Sequence, residues 1–258
     1  SIWGYRTRRI SYGGGAYDEF VHAPLAGRDE VADIRRHAWP SPAQIDFSEL
    51  PDRIAQGGER AVIGAFTWGP FFIASVVRGM EDLLVDFAVR PTYAHALIER
   101  IGEISEAALD TLLERHGARL DIVYMADDYC SHQAPLFSPA MFRTFVMPYL
   151  RRYVEKVHRR GQKFLLHCCG AVRPLLPMII EAGVDVLEPI QITAAGMEPA
   201  ALKRDFGRDL CFYGGVDLQH ILNRGTPERV AEEVRRLADV LGEGGGYILG
   251  PGHTYIQV

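Results

Sequence analysis

Short apolar runs alternate with longer amphipathic segments from about residue 61 onward. Uninterrupted apolar runs of this length are typical of strands buried on both faces of a parallel sheet. Helices are predicted to begin near Pro91, Ser138 and Thr226, where a proline or a hydroxyl side chain provides a helix start. The six predicted strands are 61–66, 120–125, 163–167, 184–187, 210–213 and 247–249.

The first 60 residues show no such alternation of apolar runs and amphipathic segments. Glycine, proline, aromatic and charged residues are mixed there, as in the segments 12–15 and 39–42. We therefore expect two parts: an irregular N-terminal segment over 1–60, packed on the second part, and a regular α/β domain over 61–258.

Strands that alternate with helices predict a parallel sheet covered on both faces, in the form of a doubly wound sheet or a (β/α)8 barrel. A doubly wound nucleotide-binding sheet requires a glycine-rich turn after its first strand, and the segment 67–70 is not one. The barrel is favoured, although six strands are two fewer than a barrel needs.

Composition excludes several classes of function. The chain of 258 residues is 48% hydrophobic, which is enough for a large core, and its net charge of −5 gives no electrostatic footprint for nucleic acid. No apolar run approaches the ~18 residues of a membrane span. Four cysteines, two of them adjacent, do not form a disulfide framework, so we expect a cytoplasmic protein.

Polar and reactive side chains follow most of the predicted strands at the same end. In a barrel, the active site lies at the carboxyl ends of the strands, so this distribution indicates an enzyme. These residues are Thr67 and Trp68, the run 126–133, His167 to Gly170, Glu188 and Gln191, Gly214 to Asp217, and Gly250 to His253.

One strand leads directly into His167, Cys168 and Cys169. Because side chains alternate along a strand, His167 and Cys169 are predicted to point the same way and Cys168 the opposite way. An imidazole and a thiolate with this spacing are suited to a catalytic zinc if a third ligand comes from elsewhere. The alternative is a buried thiol pair with a hydrogen-bonded histidine.

The other strand-end residues have structural alternatives as well. Asp127 and Asp128 could cap a neighbouring loop, or one of them could bind a cation or hold a proton. Glu188 could lie in a solvated turn. A carboxylate that enters a barrel mouth loses solvation free energy, however, which favours a functional role for it. His253 taken alone is as consistent with a structural role as with a functional one.

The motifs together resemble the uroporphyrinogen decarboxylase superfamily, which includes cobalamin-dependent methyltransferases. The resemblance covers about residues 60–258 and implies a (β/α)8 barrel. The six strands would be its third to eighth, with the first two strands and a final helix outside this sequence. The matching segments are 69–72, 78–82, 126–133, 137–142, 166–170, 181–187, 213–217 and 250–253.

The superfamily implies two chemistries. Its decarboxylases use neither metal nor cofactor and hold a tetrapyrrole over an aspartate, which Asp127 or Asp128 matches, with a histidine that His253 matches. Its methyltransferases bind zinc through a His-x-Cys pair, which His167 and Cys169 match, and through a later cysteine. This chain has His253 at that later position, and histidine is also a zinc ligand.

The resemblance favours zinc-assisted methyl transfer from a methylcorrinoid, delivered by a corrinoid protein, to a thiol or a similar acceptor. The alternatives are decarboxylation of a uroporphyrinogen-type tetrapyrrole and a non-catalytic corrinoid- or tetrapyrrole-binding barrel. The hypothesis assigns His167, Cys169 and His253 to the metal and Asp127, Asp128 and Glu188 to catalysis. Its substrate-binding residues are Trp68, Tyr129, His132, Gln133, Gln191 and Asp217.

Overall fold

The computed structural model describes residues 1–253, so the last five residues of the predicted barrel segment 61–258 lie outside the described residues. The chain forms two compact units, which are described separately. Unit 1 comprises residues 1–127 and 140–162, and the described part of unit 2 comprises residues 128–139 and 163–253.

The N-terminal segment is regular, and the prediction of an irregular segment over 1–60 was wrong in this respect. An antiparallel hairpin pairs β1 with β2, and Ile10 stands opposite Tyr17. Most of its side chains are exposed, so the two strands lack the clean apolar alternation by which a half-buried strand is detected. The elements of this segment are β1 (Arg6–Tyr12), β2 (Gly15–His22), α1 (Val31–Arg36), a 3-10 turn (Pro42–Gln44) and α2 (Leu50–Gly57).

The rest of unit 1 contains a parallel strand pair and long helices. Strands β3 and β4 are parallel, with Ile63 opposite Ile122. The helical stretch from Pro70 to Val89 is broken at Gly79 into two helices. The elements are β3 (Ile63–Trp68), α3 (Pro70–Arg78), α4 (Met80–Val89), α5 (Pro91–His116), a 3-10 turn (Gly117–Arg119) and β4 (Ile122–Ala126). They continue with α6 (Pro139–Met141), a π-turn (Phe142–Val146) and α7 (Met147–His158).

Helix α5 shows how the sequence pattern builds the core of unit 1. It begins with Pro91, as predicted, and runs for 26 residues. Its buried positions include Leu97, Ile101, Ala108 and Leu112, which recur at the spacing of one helix face.

Unit 2 contains four parallel strands in chain order, β5 to β8. The interior positions Phe164, Leu165 and Leu166 of β5 are all buried, as expected for a strand covered on both faces. Within residues 1–253, neither unit shows the reversal of strand order that a doubly wound sheet requires. The elements are β5 (Lys163–His167), a 3-10 turn (Arg173–Leu175), α8 (Leu176–Glu181), β6 (Val186–Ile190), α9 (Pro199–Phe206), β7 (Cys211–Val216), a π-turn (Leu218–Leu222), α10 (Pro227–Gly242) and β8 (Tyr247–Pro251).

Two helix starts in unit 2 follow the sequence signals. The Thr226 hydroxyl accepts a hydrogen bond from the Arg229 N–H at the start of α10, and Pro227 is the first helical residue. The Glu198 carboxylate accepts hydrogen bonds from Ala200 N–H and Ala201 N–H at the start of α9. Among the described residues, no helix combines the length and the apolar character that crossing a membrane requires.

Candidate metal centre

Three predicted metal ligands of unit 2 come together in space. They are His167, Cys169 and His253. Each offers one ligand atom, a ring nitrogen or the thiol sulfur, and the three atoms lie within 4.8 Å of one another. His167 is almost fully buried, whereas Cys169 and His253 are partly exposed. Two nitrogen donors and one sulfur donor at this spacing are suited to a zinc ion that retains an open position for substrate.

The two strand-end ligands are on the same side because of strand alternation, as the sequence predicted. Cys168, between them, is fully buried on the opposite side, where its sulfur accepts from the Tyr129 N–H at 3.4 Å. Burial raises the pKa of the Cys168 thiol far above its usual value, so it remains protonated at neutral pH. Cys168 is therefore a structural thiol.

Glu188 lies directly beside His167. The two residues are paired in the β5–β6 register, and Nδ1 of His167 is 2.5 Å from Oε2 of Glu188. Burial lowers the pKa of His167, but the hydrogen bond and the charge of Glu188, together with Asp128, outweigh burial and raise it. A carboxylate on Nδ1 leaves Nε2 as the nitrogen that faces a metal.

Asp128 is the second carboxylate of this cluster. Its Oδ1 is 3.5 Å from Nε2 of His167 and 3.5 Å from Sγ of Cys169. Burial, with the negative charge of Asp128, raises the pKa of the Cys169 thiol to about 12. The cysteine is thus a thiol in the absence of a cation, and a bound cation would supply the charge that favours the thiolate.

The backbone after Cys169 is held in a sharp turn. Gly170 has a positive φ of 88°, and a Cβ at this position would lie 2.4 Å from the Ser131 carbonyl oxygen. Its N–H donates to Oε1 of Gln191 at 3.0 Å. Gly170 therefore permits the close approach that places the Cys169 loop beside the 128–135 loop.

A cavity of about 600 Å³ extends from His253. Its wall includes the predicted substrate-binding residues Gln191 and Asp217, and His132, also predicted, is bonded to Thr193 of the same wall through Nε2 at 3.1 Å. The polar lining residues are Gln191, Thr193, Asp217, Gln219, His220, Asn223, Arg224 and His253.

Sequence reasoning missed His220, Asn223 and Arg224, which also line this cavity. His220 lies three residues after Asp217 and is hydrogen-bonded to it, so the Asp-x-x-His spacing was a usable signal. Asn223 and Arg224 follow a π-turn, whose periodicity no simple sequence pattern anticipates.

Asp127 belongs to unit 1, and its predicted catalytic role remains a prediction. Asp127 is fully buried in unit 1, where its carboxylate accepts hydrogen bonds from the Phe72 N–H at 2.6 Å and the Phe71 N–H at 3.3 Å. It therefore holds the first turn of α3. The sequence placed it at a strand end correctly, but it could not show that the first turn of this helix lies beside it.

The remaining predicted substrate residues are in varied surroundings. Tyr129 is fully buried, with its ring edge-to-face against Phe137, and its predicted contact with substrate remains a prediction. Trp68 belongs to unit 1, is 45% exposed and stacks on Phe72. Gln133 is exposed on the 128–135 loop. Substrate binding by these last two residues remains a prediction.

Comparison with known proteins agrees with the motifs. The sequence matches the family described as uroporphyrinogen decarboxylase (URO-D) over residues 32–257. It is 28% identical over 166 residues to the methylated-thiol–coenzyme M methyltransferase of Methanosarcina mazei, a match over 64% of this chain and 42% of that protein. It is 26% identical over 202 residues to the methylcobamide:CoM methyltransferase MtbA of Methanosarcina acetivorans, over 76% of this chain and 53% of that protein.

These matches span about half the length of the curated relatives. The solved structure of a methyltransferase from Methanosarcina mazei covers 100% of this chain with a TM-score of 0.69 and 18% identity, and the match spans 72% of that protein. This likeness confirms the predicted α/β fold, with the parallel strand succession of a (β/α)8 barrel. From the motifs, the fold and the match over most of its length, we conclude that the chain belongs to the uroporphyrinogen decarboxylase (URO-D) family.

Proposed function

We propose that this protein transfers a methyl group from a methylcorrinoid to a thiol acceptor, with a zinc ion held by His167, Cys169 and His253. The convergence of these three donors within 4.8 Å is the observation that carries the proposal. Bound zinc would lower the pKa of the incoming thiol, so that a thiolate is available as the methyl acceptor at neutral pH.

The surrounding residues fit a zinc ion. Glu188 holds the proton on Nδ1 of His167, which leaves the Nε2 lone pair for a cation. Zinc binds imidazole nitrogen and thiolate sulfur readily, so the donor set of two histidines and one cysteine suits it. Asp128 lies near both His167 and Cys169 and adds negative charge, which favours a cation there.

The cavity beside His253 would hold the acceptor. It is lined mainly by polar side chains, and its volume of about 600 Å³ is adequate for a small thiol. We propose that Gln191 and Asp217 orient this acceptor, and that His132 supports the wall through Thr193. A partner corrinoid protein would present the methyl donor; the name of the Methanosarcina acetivorans relative gives methylcobamide as a substrate of that protein.

The test is metal content combined with turnover. Protein purified without added metal is analysed for zinc and then incubated with methylcobalamin and 2-mercaptoethanesulfonate, the thiol known as coenzyme M. We expect about one zinc per chain and zinc-dependent loss of methylcobalamin absorbance, with the methylated thiol detected by mass spectrometry.

Removal of zinc by a chelator should abolish this activity, and re-addition should restore it. A protein that neither contains zinc nor binds it at micromolar concentrations would contradict the proposal. Metal-independent release of CO2 from uroporphyrinogen would instead establish the decarboxylase alternative, with Asp127 or Asp128 as its central carboxylate.

A further inference from the structure

A histidine–carboxylate pair lies in the wall of the cavity that contains His253. Nδ1 of His220 is 2.7 Å from Oδ2 of Asp217, and both residues line the cavity. The Asp217 side chain is only 12% exposed, whereas the His220 side chain is 62% exposed. The carboxylate is thus part of the wall, and the imidazole is open to a molecule inside.

Asp217 is fixed by two further hydrogen bonds. Its Oδ1 accepts from the Gln219 N–H at 2.9 Å and the His220 N–H at 3.2 Å at the start of the π-turn. Oδ2 therefore faces the imidazole in a defined position. An ionised carboxylate only accepts hydrogen bonds, so the Nδ1 of His220 carries the proton and Nε2 of the neutral ring has a free lone pair.

We propose that His220 is a catalytic base that deprotonates the acceptor thiol as it enters the cavity. This inference rests on the proposed function. The S–H bond of the thiol breaks, its proton moves to Nε2 of His220, and the electron pair stays on sulfur. The resulting imidazolium is stabilised by Asp217, and the proton then passes to solvent from the exposed ring.

The charges around the pair are compatible with this role. His253 and Arg224 line the same cavity, and Arg224 favours the thiolate over the thiol through its positive charge. The negative charge of Asp217 also acts on Glu233 of α10. Glu233 forms an ion pair with Arg236, in which Oε1 of Glu233 is 2.7 Å from Nη2 of Arg236.

His220→Asn tests the proposal because the amide NH2 can still donate to Asp217 while the base at Nε2 is lost. The full chain is loaded with Co²⁺, and 2-mercaptoethanesulfonate is added. Thiolate binding is followed by the change in visible absorption in a stopped-flow instrument. We expect thiolate formation to be about 100-fold slower than in the wild type, with partial rescue by added imidazole and unchanged metal content.

The pH dependence provides a second readout. The wild type and His220→Asn should give profiles of rate against pH that differ in shape, because only the wild type contains the proposed base. His22→Asn changes an exposed histidine of unit 1 and serves as the matched control.

A His220→Asn protein that forms the thiolate at the wild-type rate would overturn the proposal. So would a slow variant that imidazole does not rescue, because that result indicates a structural role. If the wild-type Co²⁺ protein itself binds no thiol, the proposed function fails, and the inference fails with it. The measurement on the wild-type Co²⁺ protein therefore distinguishes failure of the proposed function from failure of the His220 proposal alone.

Discussion

Nδ1 of His167 and Oε2 of Glu188 are 2.5 Å apart because the two residues stand opposite each other in the β5–β6 register. Sheet pairing thereby fixes which imidazole nitrogen carries the proton. The ligand nitrogen of the candidate metal centre is thus selected by the backbone register and by one carboxylate.

Glu188→Gln is expected to weaken zinc binding by about 10- to 100-fold, because a neutral amide holds the Nδ1 proton less firmly and makes Nε2 a poorer donor. Zinc affinity is measured by competition with a chromophoric chelator. Glu243→Gln, at an exposed position after α10, is the control and should bind zinc as the wild type does. Equal affinity of the Glu188 and Glu243 variants would contradict the role of Glu188.

Cys169→Ala and His167→Ala should lose zinc and activity but remain folded, because a core of this size does not depend on one ion. Cys168→Ala should keep zinc and activity. It should lower the free energy of unfolding by about 1 kcal/mol, since a fully buried sulfur is removed. Metal analysis and urea unfolding monitored by circular dichroism distinguish the two classes. Loss of zinc in all three variants would mean that strand alternation does not separate the two cysteines.

The metal-free Cys169 thiol should react slowly with iodoacetamide, because burial and Asp128 raise its pKa to about 12. Only the thiolate reacts, so below that value the rate should increase about tenfold for each pH unit. Asp128→Asn removes a negative charge, lowers the pKa of the thiol and should accelerate labelling.

Labelling sites are identified by peptide mass spectrometry. Cys211 is an internal control, because burial is the main cause of its raised pKa and Asp128 does not contribute. Labelling of Cys169 that is unaffected by Asp128→Asn would show that the carboxylate does not act on the sulfur.

Gly69→Ala should destabilise the fold, since a Cβ at this position would lie 2.2 Å from Cγ of Asp127. Asp127 must then move away from the first turn of α3 and leave buried N–H groups without acceptors. We expect a loss of about 3 kcal/mol in urea unfolding. Gly13→Ala, in the β1–β2 turn with no atom within 4 Å of the added Cβ, is the matched control. A Gly69→Ala protein as stable as this control would be inconsistent with the packing described.

The sequence by itself determined the strand succession and the His-x-Cys pair. Uninterrupted apolar runs and helix-start residues are local signals, and all six strands begin within two residues of their predicted positions because burial on both faces leaves a strong pattern. The first of these strands also ends two residues beyond its predicted end, at Trp68. Strand alternation is equally local, and it alone predicted the separation of Cys168 from its neighbours.

Tertiary structure decided how each carboxylate is used. Asp127 and Asp128 are adjacent and chemically identical, yet Asp127 is buried at the start of α3 and Asp128 lies beside His167 and Cys169. The pairing of Glu188 with His167 depends on strand register, and the dyad of His220 and Asp217 depends on a π-turn. Such roles are set by which groups lie within hydrogen-bond distance, and the order of residues along the chain does not contain those distances.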